Sequence, residues 1–396
     1  MQLFAAAALA AASMTWTTAN SVATGDQDTP AIAANRNGQV AVVWEDDRDT
    51  TDPADNNHSD VWVRLFTNGT ATYELKLSAG GTSGTNWKHI SPDVALDDKG
   101  NAVVVWAEDA DGNGVFNISY RVISPSGSVT ASGRANADTA GDQIAPKVAV
   151  DPDGAPNGGA VAFTVVWEDV QGSTYTVKAA GYTGPSTKAY EVFASQQTGQ
   201  HHRPDVAVSA SGDALVVWDE DADANGYYNI GLVGLAKANG AVNLSRRTAN
   251  SLGGGQQRHA AIAEDFNGDF AVAWESDHTG TAGVWTRSFG PGAVARGTEV
   301  LVADGGANPV IGIDGQTNTV VGWSATELYA RGFNADGTTT GRLPAQVLTQ
   351  TTTGRQEQIA VAVSNWGEFS VAYTDDNDGN NFDQVILGTG GANSDW

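Results

Sequence analysis

Two acidic loops and one basic–aromatic run hold most of the side chains in this chain that could do chemistry. The loops are DADGNGVFN from Asp109 and DEDADANGYYN from Asp219. In the first, Asp109, Asp111, Asn113 and Asn117 place side-chain oxygens at the spacing D-x-D-x-N-G-x-x-N; in the second, Asp221, Asp223, Asn225 and Asn229 repeat it. Calcium takes six to eight oxygens, and an acidic loop with a glycine at a sharp turn can supply several. The same spacing also suits an Asn-Gly hairpin turn with solvated acids. A shorter relative runs through Asp376, Asp378, Asn380 and Asp383. The basic–aromatic run is His201, His202 and Arg203, with His89, Tyr227 and Tyr228 expected on the same face. Such a group could abstract a proton beside a carboxylate, with Arg neutralising the carboxylate and His or Tyr acting as base.

The loops resemble the D-x-D-x-D-G-x-x-D calcium loops of integrin-type propellers and the first half of an EF-hand. They depart from both. Asn stands for Asp at two positions, and the twelfth-position Glu of an EF-hand is Tyr120 in one loop and Leu232 in the other. Calcium and plain turns therefore both stay open, and no organic cofactor is expected.

Repetition explains why the loops recur. PAIAANRNGQVAVVWED from Pro30, PDVALDDKGNAVVVWAED from Pro92 and PDVAVSASGDALVVWDED from Pro204 share one pattern. Each is an apolar alternating strand, a turn, a second apolar strand, an aromatic anchor and then acids. Further copies start at Pro146, Ala260, Pro309 and Ile359. The anchors are Trp44, Trp106, Trp167, Trp218, Trp274, Trp323 and Tyr373. Two more strand-like pieces follow the anchor in most copies, as in DVWVRLFT and ATYELKLS, which Asn68-Gly69 joins in a tight hairpin. Four strands per unit over 50–60 residues is the arithmetic of a propeller blade. The expectation is an all-β, seven-bladed β-propeller of four-stranded antiparallel blades over residues 13–396. The last copy lacks a fourth strand, so a strand near residues 13–18 is expected to complete it and close the ring. Each anchor is expected to pack between neighbouring blades, with Trp62 and Trp285 as further blade core.

Chain order then sorts residues onto faces. Three residues before each copy's first position stand Gln27, His89, Gln143, His201, Gln257, Gly306 and Gln356. These predict a polar ring at the mouth of the central channel, able to bind a ligand or to bond neighbouring backbone. The acids after the anchors predict a strongly negative mouth, unless they pair with the recurrent Arg64, Arg121, Arg287 and Arg331.

Net charge is −25 and the pI about 4.3. Nucleic acid is excluded as a partner, because its binding rests on Lys and Arg neutralising phosphates. There are no cysteines, hence no disulfide, thiol chemistry or cysteine metal site. No apolar run is long enough for stable membrane insertion. Residues 1–12 are apolar and small like the end of a secretion signal, which predicts a secreted or cell-surface protein.

The repeat P-x-V-A-x-x-x-x-G-x-x-V-V-V-W-E-D resembles those of secreted bacterial propellers and adhesin-like proteins. That resemblance implies architecture and is silent on activity. The leading expectation is a non-catalytic module that binds a glycan or protein, with calcium ordering its loops. The alternative is a polysaccharide lyase or glycoside hydrolase acting at the channel mouth, since some seven-bladed propellers are lyases that use His, Tyr and Arg. A single channel-mouth pocket with a His–Tyr–Arg cluster favours the lyase, and grooves between blades favour the lectin. No motif of a serine hydrolase, zinc protease or phosphate-binding loop is present.

Overall fold

The computed structural model describes residues 14–48, 59–78, 88–154, 161–377 and 379–390. The leader at residues 1–12, the insertion in the third copy and Asp378 lie outside the described residues. The fold is all-β, and its only helical element among the described residues is a 3-10 turn at Pro291–Ala293.

Each copy of the repeat pairs its strands antiparallel in chain order, and repeats three and four share one eight-stranded sheet, joined where Tyr175 pairs in parallel with Gln200. Repeat one orders its strands Gln27–Ala34, Gln39–Asp46, Asp60–Thr67 and Thr70–Lys76 in sequence. Repeat two does the same with Lys88–Leu96, Ala102–Asp109, Asn117–Ile123 and Val129–Arg134. Repeats three to six begin with Asp142–Val150, Gln200–Val208, Gln257–Glu264 and Ala307–Ile313 and continue in the same order. Repeat seven orders Arg355–Val363, Phe369–Asp376 and Gln384–Thr389, and its fourth strand is the N-terminal Thr15–Thr18. Thr15 pairs with Thr389 and Thr18 with Ile386. The first strand of each repeat touches the first strand of the next, and that of repeat seven touches Gln27–Ala34.

The anchors hold these sheets face to face. Trp44, Trp106, Trp167, Trp218, Trp274 and Tyr373 are fully buried and Trp323 nearly so. Each sits in an apolar cluster shared with the preceding repeat. Trp106 packs with Val43, Val63 and Leu65 of repeat one, and Trp218 with Val166, Val177 and Tyr190 of repeat three. Trp44 packs with Ala372, Val385 and Leu387 of repeat seven. The period-2 alternation gives each strand an inward face, and the anchor fills the space between two twisted sheets. Trp62 and Trp285 are only half-buried. Arg48 lies 3.6 Å over the Trp62 ring, and His278 packs 4.5 Å from Trp285.

A buried asparagine link recurs where three of the outer strands end. Asn136 Oδ1 accepts the Ile118 N–H at 2.8 Å, and its Nδ2 donates to Gln143 Oε1 at 2.8 Å. Asn20 does the same for Val385 and Gln27 at 3.0 and 2.9 Å, and Asn250 accepts from Ile230. Asn136→Ala would leave a buried N–H and a buried carboxamide short of partners. Urea denaturation is expected to show a loss of about 1–3 kcal/mol, because an orphaned buried donor bears its full desolvation cost.

The third-strand arginines do not pair uniformly with the acids after the anchors. Arg64, Arg287 and Arg331 donate to the carbonyls of Ala19, Ala249 and Val302, in or just past the previous repeat's outer strand. Arg121 bonds the Tyr120 carbonyl and stacks 5.0 Å over Trp106.

Candidate active site at the channel mouth

The first strand of every repeat carries the same irregularity. Register slips between the second residue before the first position and the residue after it, as at Asp28/Ala31 and His202/Asp205. Within each bulge, the residue just before that position has left-handed backbone. These are Thr29, Ser91, Ala145, Arg203, His259, Asn308 and Gln358, with φ between 46° and 56°. A non-glycine residue held there costs about 1–3 kcal/mol and persists only when its surroundings fix it.

Acids after the anchors do that fixing at Ser91, Arg203 and Asn308. Glu45 Oε1 accepts Ser91 N–H at 2.7 Å, Glu168 Oε1 accepts Arg203 N–H at 2.6 Å, and Glu275 Oε1 accepts Asn308 N–H at 2.6 Å. Each bond runs from one repeat's acid to the next repeat's bulge. The bulge side chain in turn reaches its own repeat's acid. Thr29 Oγ1 donates to Glu45 at 2.5 Å, Arg203 pairs with Asp219 at 2.6 Å, and His259 Nδ1 meets Glu275 at 2.6 Å. The acids are thus largely spent on hydrogen bonds, and Asp219 is fully buried. At repeats four and five the side chains presented are Arg203 and His259, while Asp93, Asp205, Glu327 and Glu357 also line the cavity.

All seven bulge residues line one cavity of about 1100 Å³. Its wall continues through the prolines to Asp93, Lys147 and Asp205, where Lys147 Nζ lies 3.4 Å from Asp93 Oδ1. Burial raises the Asp205 carboxyl to about 6, with the nearby Lys147 charge opposing.

The ring of Gln27, His89, Gln143, His201 and Gln257 sits elsewhere. All five are buried in the wall and do not line the cavity. Gln27, Gln143, Gln257 and Gln356 each donate Nε2 to the carbonyl three residues earlier, at 3.0, 3.1, 2.8 and 2.7 Å. His201 Nε2 lies 2.8 Å from the Thr198 carbonyl, the same place in its repeat. His89 Nδ1 lies 2.8 Å from the Ser59 carbonyl, with Glu108 on its other nitrogen at 3.3 Å. Only Gln356 of this set reaches the cavity. Between the ring position and the lumen stands the bulge, which turns the residue two places later inward.

The basic–aromatic run is split in the same way. His201 faces the core against Trp218, and His89 is buried in repeat two. Tyr227 is 59 % exposed on the loop. His202, Arg203 and Tyr228 do gather. His202 lies between Tyr175 and Tyr228, with ring centres 4.4 and 5.8 Å away, and its Nδ1 is 3.4 Å from Glu168. Arg258 stacks 4.6 Å over Tyr228.

His259 lines the cavity with Arg203, whereas His202 and Tyr228 do not, and the sequence reading did not single it out. With Nδ1–H donating to Glu275, Nε2 is left as the proton acceptor, the orientation a carboxylate imposes on a catalytic imidazole. Burial alone would raise the Glu275 carboxyl, but hydrogen bonds from His259 and Asn308 outweigh it and hold it below the usual range. At Asp219 burial prevails over the Arg203 charge and the carboxyl is raised.

The two acidic loops fold into self-satisfied turns. Asp109 accepts Asn113 N–H and Gly114 N–H at 3.0 and 2.9 Å, and Asp221 accepts Asn225 N–H and Gly226 N–H at 2.9 and 2.8 Å. Asn113 Nδ2 bonds Asp111 and Asn225 Nδ2 bonds Asp223. The Asn117 and Asn229 oxygens accept from Asn136 and Asn250.

No protein-family model matches the chain, and no curated protein matches it. Solved structures do. The chain is similar to the α-L-arabinofuranosidase of Fusarium graminearum bound to an iminosugar inhibitor, with 9 % identity and a TM-score of 0.54. That match covers 78 % of this chain and 95 % of the enzyme. A protein of unknown function from Dyadobacter fermentans matches at 10 % identity and TM-score 0.51, over 78 % of this chain and 96 % of its own. The NanB sialidase of Streptococcus pneumoniae matches at 9 % identity and TM-score 0.50, over 94 % and 69 %. At such identities the likeness shows the fold, which is propeller-like, and nothing of the activity.

Proposed function

We propose that the chain is a single seven-bladed propeller, closed by Thr15–Thr18, which cleaves an acidic glycan at its channel mouth. Closure is supported by the pairing of that strand with Gln384–Thr389 and by the Trp44 cluster, which joins repeats one and seven. The observation that carries the activity is the paired arrangement on adjacent bulges: Arg203 on Asp219, and His259 on Glu275, both facing one cavity. Arg203 would hold a sugar carboxylate, aided by Arg258. His259 Nε2 would take the proton from the adjacent carbon, and Tyr228, stacked under Arg258, is the candidate proton donor to the leaving oxygen. Elimination is the reading that an Arg and a His on adjacent bulges of one cavity favour over a lectin.

Hydrolysis is the second reading, favoured by the carboxylates that line the cavity, Asp93, Asp205, Glu327 and Glu357, and by two of the fold's neighbours being an arabinofuranosidase and a sialidase. Incubation with uronate and neutral polysaccharides separates the two. Elimination gives reducing ends together with the ultraviolet absorbance of an unsaturated sugar. Reducing ends without that absorbance would establish hydrolysis, and binding without either product would return the protein to the non-catalytic class. Calcium at the loops of repeats two and four stays part of the proposal only if it displaces the N–H bonds now made to Asp109 and Asp221.

A further inference from the structure

Asp26, Asp28 and Asp383 each bring a carboxylate oxygen within 4.8 Å of the other two. The chain brings them together at its seam. Asp26 and Asp28 flank the start of the first strand of repeat one, and Asp383 directly precedes Gln384–Thr389, the strand that pairs with Thr15–Thr18. Backbone bonds fix the juxtaposition. Gln27 N–H donates to the Asp383 carbonyl at 3.1 Å, and Asp383 N–H donates to Asp26 Oδ1 at 2.7 Å. Asp47 N–H donates to the Asp26 carbonyl at 2.8 Å, so a fourth acid stands beside the three.

A second observation is independent of this crowding. Asp383 is 3 % exposed. Its Oδ2 takes the Arg355 guanidinium at 2.8 Å, but its Oδ1 is shut off from solvent and has no hydrogen-bond partner. Buried polar atoms are almost always satisfied, so an orphan carboxylate oxygen among other carboxylates calls for a cation. One guanidinium does not neutralise three acids. The set is all oxygen, with no His or Cys, which suits a hard ion. Calcium accepts irregular oxygen shells that include backbone carbonyls, whereas magnesium demands near-ideal octahedral geometry.

We propose that Asp26, Asp28 and Asp383 form a calcium site that ties the last repeat to the first. This site is separate from the acidic turns of repeats two and four and does not depend on the channel chemistry. In repeat seven the Asp376 carboxylate accepts Asn380 N–H at 3.0 Å, like its counterparts, while Asp383 turns away to the seam.

The test is calorimetric titration of CaCl₂ into chelator-stripped full-length protein, with hydrogen exchange at Thr15–Thr18. One ion per chain is expected. At a hundredfold excess over Kd the unfolding constant falls about a hundredfold, and exchange at Thr15–Thr18 slows. Asp28→Asn and Asp383→Asn weaken binding tenfold or more, whereas Asp109→Asn and Asp221→Asn leave it intact. If Asp383→Asn does not fold, the half-exposed Asp28 decides. An absence of binding heat, binding lost in Asp221→Asn but kept in Asp28→Asn, or equal affinity for MgCl₂ would each overturn the assignment.

Discussion

His259→Ala is expected to lower glycan turnover by a factor of about 10²–10⁴, the usual worth of a positioned general base. Thermal stability should change little, because His259 is half-exposed and bonds only Glu275 through its ring. Glu275→Gln should also lower turnover, and by less. A glutamine keeps the Asn308 N–H bond but offers the imidazolium no counter-charge. The two substitutions made together should cost barely more than His259→Ala alone, since residues acting as a unit are not additive. Arg203→Ala should act differently, raising KM as well as lowering kcat, because it holds substrate rather than moving a proton. Steady-state kinetics on the four variants separates these outcomes. Equal turnover in His259→Ala and the parent would remove the imidazole from the mechanism.

The largest stability effect is expected at the anchors. Trp106→Ala should cost about 3–5 kcal/mol in equilibrium denaturation, the range for a large aromatic deleted from a packed core. Trp106 is fully buried between Val43, Val63 and Leu65 of one sheet and Val94 and Val104 of its own. Its removal opens a cavity at the interface of two blades, where neither rigid sheet can collapse to fill it. Tyr227→Ala, 59 % exposed on the acidic loop, is the matched control and should stay within about 0.5 kcal/mol of the parent. A similar loss in both variants would mean that the anchors do not carry the packing between sheets.

The architecture was legible because it rests on short-range regularities. Alternation marks each strand, and the aromatic fourteen residues after the first position marks every repeat but the third, which carries an insertion. The pairing of Thr15–Thr18 with the last sheet followed from a missing strand at one end and a spare one at the other. The site was less legible, for a local reason. Simple strand alternation puts residues two apart on the same face, so Gln143 and Ala145, or His201 and Arg203, should point alike. The left-handed residue breaks that rule once per repeat, burying His201 and turning Arg203 into the lumen. The position just before each copy's first residue, Thr29, Ser91, Ala145, Arg203, His259, Asn308 and Gln358, carries its charged and imidazole side chains at repeats four and five.

A second signal is present in the sequence. Asn20 precedes Gln27 by seven residues and Asn136 precedes Gln143 by seven, which is the buried Asn–Gln link. It makes the ring structural before any coordinates are seen. The seam acids had no such signal. Asp26 and Asp383 are 357 residues apart and meet only because repeat seven borrows its last strand from the start of the chain.

The most direct measurement is a crystal structure of Glu275→Gln soaked with an acidic oligosaccharide. A sugar in the channel mouth is predicted, with its carboxylate on Arg203 and the adjacent carbon facing His259 Nε2. A sugar seated between blades or on the outer strands, with the mouth open to water, would contradict the assignment of the site.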